Sequence, residues 1–210
     1  MGRKVCPRVD THARLDPGRG RRHLPLMIPI RDHNPARGTP WVTWGLIAAN
    51  VAIFLAYWGM FAQPFRIAAL FGSFGLEPAE IAAGGAPVTI LTYMFLHGGV
   101  MHLLGNMLFL YIFGDNLEAA FGRLRFLAFY LASGIGAGLV QVLADPASTV
   151  PIVGASGAIA GVMGGYLLLF PRARIDMLVL LVVVPLFLTV PAAVVLILWF
   201  GLQMLGGLGG

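Results

Sequence analysis

The stretch Gly154-Ala155-Ser156-Gly157-Ala158-Ile159-Ala160-Gly161 places a serine among small residues at the start of a mostly apolar run. Gly157, Gly161 and Gly165 then recur every four residues. This spacing lets neighbouring membrane helices approach closely, so the glycines predict a central, tightly packed helix. That packing does not require Ser156, although a small residue there is unremarkable. The short Gly-x-Ser-Gly motif is by itself a weak sign of function.

The composition around this stretch is that of a membrane protein. Of 210 residues, 58% are hydrophobic and 11% are charged, and the mean hydropathy is +0.83. Soluble globular domains carry about 25% charged residues. The chain is therefore predicted to be an integral membrane protein, and its length suits one domain.

Positive charge is concentrated at the N-terminus. Residues 1–40 contain nine Lys and Arg against three acidic residues, a net charge of +6. A cytoplasmic flank before a first membrane helix is favoured over a nucleic-acid-binding arm. We expect residues 1–40 to be a mostly disordered segment and residues 41–210 to be the membrane domain. Met27 is a candidate natural start, with residues 1–26 then a mis-assigned extension. The single Cys6 excludes an internal disulfide.

Five apolar segments approach the roughly 20 residues that cross a bilayer. The predicted fold is therefore an all-α polytopic helical bundle. Pro185 and Pro191 are expected to kink the fifth segment or to break it. The predicted spans are Trp41–Phe61, one within Val88–Phe113, about Phe121–Leu143, Ser156–Phe170 and about Met177–Leu205.

The distribution of arginines predicts the orientation. Arg123 and Arg125 follow the second span, and Arg172 and Arg174 follow the fourth. With alternating spans these loops share one side with the basic N-terminus, which the positive-inside rule makes cytoplasmic. The starts of the second and fourth spans then both lie toward the outer face.

Polar side chains inside a membrane are costly and are functional candidates by default. His102 and Asn106 are four residues apart and share one helix face, and His97 lies just before that helix. Ser156 is near a helix N-terminus, where unpaired N–H groups and the macrodipole stabilise an oxyanion. A metal site is the competing interpretation, but residues 88–113 contain no Cys, Asp or Glu.

These motifs resemble the rhomboid family of intramembrane serine proteases over most of the chain, from Met27 to about Leu205. Several ordered motifs at these spacings are more specific than any one alone. They are Thr92-Tyr93-Met94-Phe95-Leu96-His97-Gly98-Gly99, His102-Leu103-Leu104-Gly105-Asn106-Met107, Phe113-Gly114-Asp115-Asn116-Leu117-Glu118 with Gly122, Phe129-Tyr130-Leu131-Ala132-Ser133-Gly134, Gly154-Ala155-Ser156-Gly157-Ala158-Ile159 and Trp199-Phe200-Gly201-Leu202-Gln203.

The resemblance implies that Ser156 is the nucleophile and that His102 and Asn106 form the oxyanion hole. His97, Gly154 and Gly157 would support the site. The segment 62–87 would be a partly membrane-embedded loop, and the fifth span a mobile helix that admits substrate. The implied activity is cleavage of transmembrane segments of other proteins in a bacterial inner membrane, without metal or cofactor.

Two departures from the family pattern stand out. Val88-Thr89 occupies the place where the family often has Trp-Arg, so the anchoring of the first loop is open. The family's general-base histidine lies on a sixth span that this chain lacks, which predicts that the 210-residue chain alone is inactive and truncated. The histidines present are His12, His23, His33, His97 and His102.

Two alternatives compete with a protease. A non-catalytic rhomboid-like protein that binds membrane helices would need no base, but it has no evident reason to keep Ser156, His102 and Asn106. A small transporter subunit is disfavoured, because the spans show no inverted repeat and contain no buried acidic or basic residue.

Overall fold

Helices make up most of the chain that the computed structural model describes, namely residues 26–32, 34, 38–181 and 184–208. The three strands β1 to β3 are Leu26–Asp32, Arg174–Leu181 and Val184–Pro191. The eight helices α1 to α8 of these described residues are Trp41–Tyr57, Pro64–Phe74, Pro78–Ala82, Thr89–Thr92, Val100–Phe121, Arg123–Ala144, Ser156–Leu169 and Ala192–Leu208.

Among the described residues, two helices are long and apolar enough to span a bilayer alone. One is α1 together with the 3₁₀ turn that continues it, Trp41–Ala62, and the other is α6. Each has 22 residues, and they confirm the predicted first and third spans. One further candidate is present among the described residues, and it is a bent pair of helices. By length and composition the described residues thus offer at most three spans, and the count of five stays a prediction.

The second predicted span is broken near its start. Residues Thr89–Phe95 and α5 meet at an angle of 94°. The break contains Gly98 and Gly99, which have no side chain to stabilise a helical turn. The continuous helix therefore begins at Val100, and it extends to Phe121, beyond the predicted limit at Phe113.

The fourth predicted span forms as α7, which begins at Ser156 as expected. It packs between α5 and α6. A Cβ at Gly157 would come 2.5 Å from the Ala137 Cβ, and one at Gly161 would overlap the side chain of Ser133. The glycines thus hold α6 and α7 close together, as the sequence predicted.

The prediction of a fifth helical span was wrong for residues 177–181 and 184–191, which belong to strands β2 and β3. Strands β2 and β3 pair antiparallel, with Arg174 opposite Pro191 and Leu181 opposite Val184, and β1 pairs antiparallel with the other edge of β2. Of the residues described in this region, only those of α8 are helical, and α8 begins directly after Pro191.

Proline placement explains this difference. Pro185 and Pro191 lie on the edge strand β3 and Pro29 on the edge strand β1, whereas the central strand has none. Proline cannot donate to a ladder and is confined to sheet edges. Burial also alternates along β2, with Ile175 and Met177 buried and Arg174 exposed. Uniform hydrophobicity masked this two-residue period in the sequence.

Polar contacts join several elements at one end of the molecule. The Asp32 carboxylate in β1 accepts hydrogen bonds from Asn116 Nδ2 in α5 and from the Tyr166 hydroxyl in α7, each at 2.8 Å. The arginines at the start of α6 and after α7 belong to the same end of these helices. That this end of the molecule is cytoplasmic stays a prediction. Residues 1–25, predicted to be disordered, lie outside the described residues.

Candidate active site

Ser156 is the first residue of α7, at the end opposite to Asp32. The segment before it is held by backbone hydrogen bonds. Leu76 and Ile152 exchange two of these, at 3.0 and 2.8 Å, and the Gly154 N–H donates to the Tyr93 carbonyl at 2.9 Å. Ala155 is fully buried. The start of α7 is therefore fixed by the loop after α2 and by the segment before α5, both far away in sequence.

Gly154 brings His102 and Ser156 together. Its φ is +132°, and a Cβ there would lie 2.7 Å from His102 Nε2 and 3.8 Å from Ser156 Oγ. The imidazole therefore occupies the space that a side chain at residue 154 would fill, with Nε2 turned toward the segment that carries Ser156. The predicted proximity of Ser156 and His102 is what the structure shows, and the predicted role of each residue stays a prediction.

Asn106 lies one helical turn beyond His102 on α5, and it is 5% exposed. Its Nδ2 donates to the His102 carbonyl at 3.0 Å. This bond uses one of the two amide hydrogens, so the second can still donate elsewhere. The arrangement agrees with the shared face that the spacing of four predicted.

His97 is fully buried at the break before α5. Its ring packs edge-on against that of His102, with the ring centroids 5.2 Å apart. Among the described residues, no group accepts from or donates to either of its ring nitrogens. His97 therefore lies beside the candidate site without facing Ser156 directly.

Gly157 lies where α7 packs closely against α6. A Cβ at this position would meet Ala137 on α6 and the Tyr93 hydroxyl, at 2.5 and 3.3 Å. Its place in the candidate site is therefore to allow α6 and α7 to approach directly behind Ser156.

The base that Ser156 would need is not among these groups. His97 and His102 are the only histidines of the described part of the chain, and His12, His23 and His33 lie outside it. No group of three or more His, Cys, Asp or Glu that could hold a metal occurs in the same part. The site thus combines a helix-terminal hydroxyl with an imidazole and a carboxamide, a set suited to stabilising an oxyanion.

Comparison with protein families assigns the chain to a family. A family model described as the Rhomboid domain matches residues 84–210, a range that includes α5, α7 and α8. This chain belongs to the rhomboid family.

Individual relatives agree with this assignment. RHOMBOID-like protein 5 of Arabidopsis thaliana is 30% identical over 169 residues, which is 66% of this chain and 55% of the relative. Rhomboid protease GluP of Bacillus subtilis is 38% identical over 95 residues, 45% of this chain and 18% of the relative. Putative rhomboid protease YdcA of the same bacterium is 40% identical over 85 residues, covering 40% and 42%. The chain matches about half of the length of the first relative.

Two residues near the rhomboid site were not predicted from the sequence. The Tyr57 hydroxyl, at the end of α1, accepts from the His97 N–H at 2.7 Å and donates to the His97 carbonyl at 3.0 Å. The Tyr93 hydroxyl donates to the Gly134 carbonyl at 2.6 Å. A tyrosine in an apolar segment is an ordinary core residue, so only its tertiary contacts show that it lies near the site. Tyr93 does lie within the motif Thr92–Gly99, and this was the one sequence feature that pointed to it.

Proposed function

We propose that this rhomboid protein is the membrane domain of an intramembrane serine endopeptidase that cleaves transmembrane segments of other proteins. Ser156 is the nucleophile, and His102 and Asn106 stabilise the oxyanion formed on the attacked carbonyl. The approach of His102 Nε2 and Ser156 Oγ across Gly154 carries the proposal. A side chain at residue 154 would separate them, so the positive φ has a direct chemical consequence.

The helix start adds to this stabilisation. Ser156 is the first residue of α7, and Ala155 before it offers no side-chain cap. The N–H groups of the first turn are free of intrahelical partners and carry the positive end of the helix dipole. An oxyanion beside the Ser156 N–H would gain a backbone donor together with the His102 and Asn106 side chains.

The histidine content limits the activity that we propose for the 210 residues. A serine hydroxyl needs a base to remove its proton, and loss of the base in a serine protease costs on the order of 10⁶ in turnover. His102 is used as an oxyanion donor, and one imidazole is poorly suited to both roles. The 210 residues alone are therefore proposed to be inactive, because the proposed dyad requires a base that they do not supply.

The membrane setting follows from the same considerations. We propose a bacterial inner membrane, with the Asp32 end cytoplasmic and Ser156 toward the outer face. The proposed partners are transmembrane protein substrates and the lipid bilayer, with no metal, cofactor or nucleic acid. Clustering of the arginines of α6 and of the segment after α7 at the Asp32 end supports this orientation.

A fluorophosphonate probe tests the proposal on the natural gene product in its own membranes. Covalent labelling that disappears in Ser156→Ala and persists in Ser148→Ala is expected. The purified 210-residue chain should remain unlabelled. If the natural gene product is not labelled although it folds, the nucleophile assignment fails.

A non-catalytic rhomboid-like protein that binds membrane helices is the second candidate. The observation in its favour is that, with His102 assigned to the oxyanion, no other described group near Ser156 is placed to act as a base. Capture of a transmembrane helix by Ser156→Ala and by the natural gene product with equal affinity, and without cleavage, would favour it. Cleavage that requires Ser156 would exclude it.

A further inference from the structure

The Tyr57 hydroxyl makes two hydrogen bonds to one residue that lies 40 positions away in sequence. It accepts from the His97 N–H and donates to the His97 carbonyl, at 2.7 and 3.0 Å. Tyr57 is 4% exposed and His97 is fully buried. Both backbone groups of His97 therefore obtain their partner from one hydroxyl, and neither can turn to water.

The His97 carbonyl and the Gly98 N–H belong to one peptide unit. Because a trans peptide is planar, the carbonyl and the N–H point in opposite directions and turn together. The bond from Tyr57 to the carbonyl thus fixes the direction of the Gly98 N–H. The two glycines that follow His97 give the backbone no such restraint of their own.

The Gly98 N–H points at His102. It donates to His102 Nδ1 at 3.4 Å, a long hydrogen bond. An Nδ1 that accepts a hydrogen bond carries no proton, so the neutral imidazole carries its proton on Nε2. Nε2 is the nitrogen that faces Gly154 and the segment of Ser156.

We infer that Tyr57 is a positioning residue that sets the tautomer of His102 through the peptide between His97 and Gly98. The hydroxyl fixes the peptide plane, the Gly98 N–H occupies Nδ1, and Nε2–H is left as the donor directed at the site. This inference rests on the proposed oxyanion role of His102 for its catalytic meaning, but the tautomer itself is a property of the ground state and is measurable without turnover.

The aromatic surroundings keep the Tyr57 ring in place without its hydroxyl. The ring packs edge-on against Phe54 and Phe71, with centroid separations of 5.4 and 6.2 Å, and lies 5.9 Å from Phe61. Tyr57→Phe therefore removes the two hydrogen bonds and retains the apolar contacts, which makes it the informative variant.

The test is ¹⁵N NMR of the imidazoles in the histidine-labelled 210-residue chain, with His102 assigned by the loss of its signals in His102→Gln. The wild type should show one His102 population protonated on Nε2. Tyr57→Phe should lose this single population and gain the Nδ1-protonated tautomer.

Tyr166→Phe is the matched control. It also removes a buried tyrosine hydroxyl, one that donates to Asp32 at the other end of the molecule. Its thermal stability should fall as that of Tyr57→Phe does, whereas its His102 resonances should match the wild type. A change common to both variants would reflect general loosening and would overturn the inference.

The wild-type spectrum alone is a second check if Tyr57→Phe does not fold. A His102 proton found on Nδ1 in the wild type refutes the inference directly, and unchanged His102 signals in a folded Tyr57→Phe do so as well. Failure of the protease proposal gives a different result. Ser156 would then not be labelled, whereas His102 would still be protonated on Nε2 and would still respond to Tyr57→Phe.

Discussion

The carboxylate of Glu118 caps the first turn of α1 through Thr43. Glu118 lies near the end of α5, and it accepts from the Thr43 N–H at 2.8 Å and from the Thr43 hydroxyl at 2.9 Å. It also accepts from the Val42 N–H at 3.0 Å. The residue before α1 is Pro40, which provides no side-chain cap. A residue 75 positions away therefore supplies the acceptor that a local Ser or Asp supplies in most helices.

Glu118→Gln should destabilise the protein by about 2 kcal/mol, because a neutral amide accepts fewer and weaker hydrogen bonds and leaves buried N–H groups unpaired. Thermal unfolding in detergent micelles measures this loss. Glu77→Gln, in the loop before α3, is the control and should change the midpoint little. Equal effects of both substitutions would contradict a capping role.

Gly154→Ala should displace His102. Its φ of +132° strains any side chain, and the new Cβ would lie 2.7 Å from His102 Nε2. We expect fluorophosphonate labelling of Ser156 in the natural gene product to fall by about 10²-fold, since small misplacements of reacting groups cost that much. Gly164→Ala, within α7, has open space around its Cβ and should label normally. Normal labelling of folded Gly154→Ala would argue against the proposed geometry.

Gly161→Ala should destabilise the contact between α6 and α7 by about 1–3 kcal/mol, because its Cβ would overlap Ser133. Gly136→Ala on α6 meets no atom within 4 Å and is the matched control. Measured by thermal unfolding, the double variant Gly161→Ala with Ser133→Gly should be more stable than the sum of the single changes predicts, by about 1 kcal/mol. Strict additivity would show that the clash is relieved elsewhere.

Asp32 should make stability depend on pH. Burial raises the pKa of its carboxyl above the ordinary value of 3.8, and the hydrogen bonds from Tyr166 and Asn116 oppose that shift. The folded protein then binds the proton more tightly than the unfolded chain. The free energy of unfolding should therefore fall as pH rises from 3.8 through the raised pKa, and should be level above it.

Asp32→Asn keeps an oxygen that can accept from Tyr166 and Asn116 but removes the titration. Unfolding midpoints measured across the acidic range should lose this slope in the variant. Asp145→Asn, at an exposed position, should retain it. Stability that instead rises with pH through this interval in the wild type would mean that the hydrogen bonds outweigh burial.

Hydropathy and residue spacing were enough to predict much of this rhomboid protein. The bounds of α1 with its 3₁₀ turn, of α6 and of α7 follow from long apolar runs, which report a helix because a bilayer leaves few other ways to satisfy the backbone. The glycine spacing of α7 predicted its close contact with α6. Ser156, His102 and Asn106 could be singled out as candidate site residues, because a polar side chain is costly inside a membrane.

Tertiary structure decided what depends on residues far apart in sequence. The pairing of β2 with β3 was not predicted, because the apolar residues of both strands fit a helix and a strand equally well. Pairing of β2 with β1 selects the strand. No role for Glu118 followed from the sequence, and its partners on α1 are visible only in the tertiary structure. The approach of His102 to Ser156 across Gly154 joins positions 54 residues apart. The hydrogen bonds of Tyr57 to His97 join positions 40 residues apart. Local sequence patterns do not predict contacts between residues so far apart, because the partner of a side chain depends on how whole helices pack.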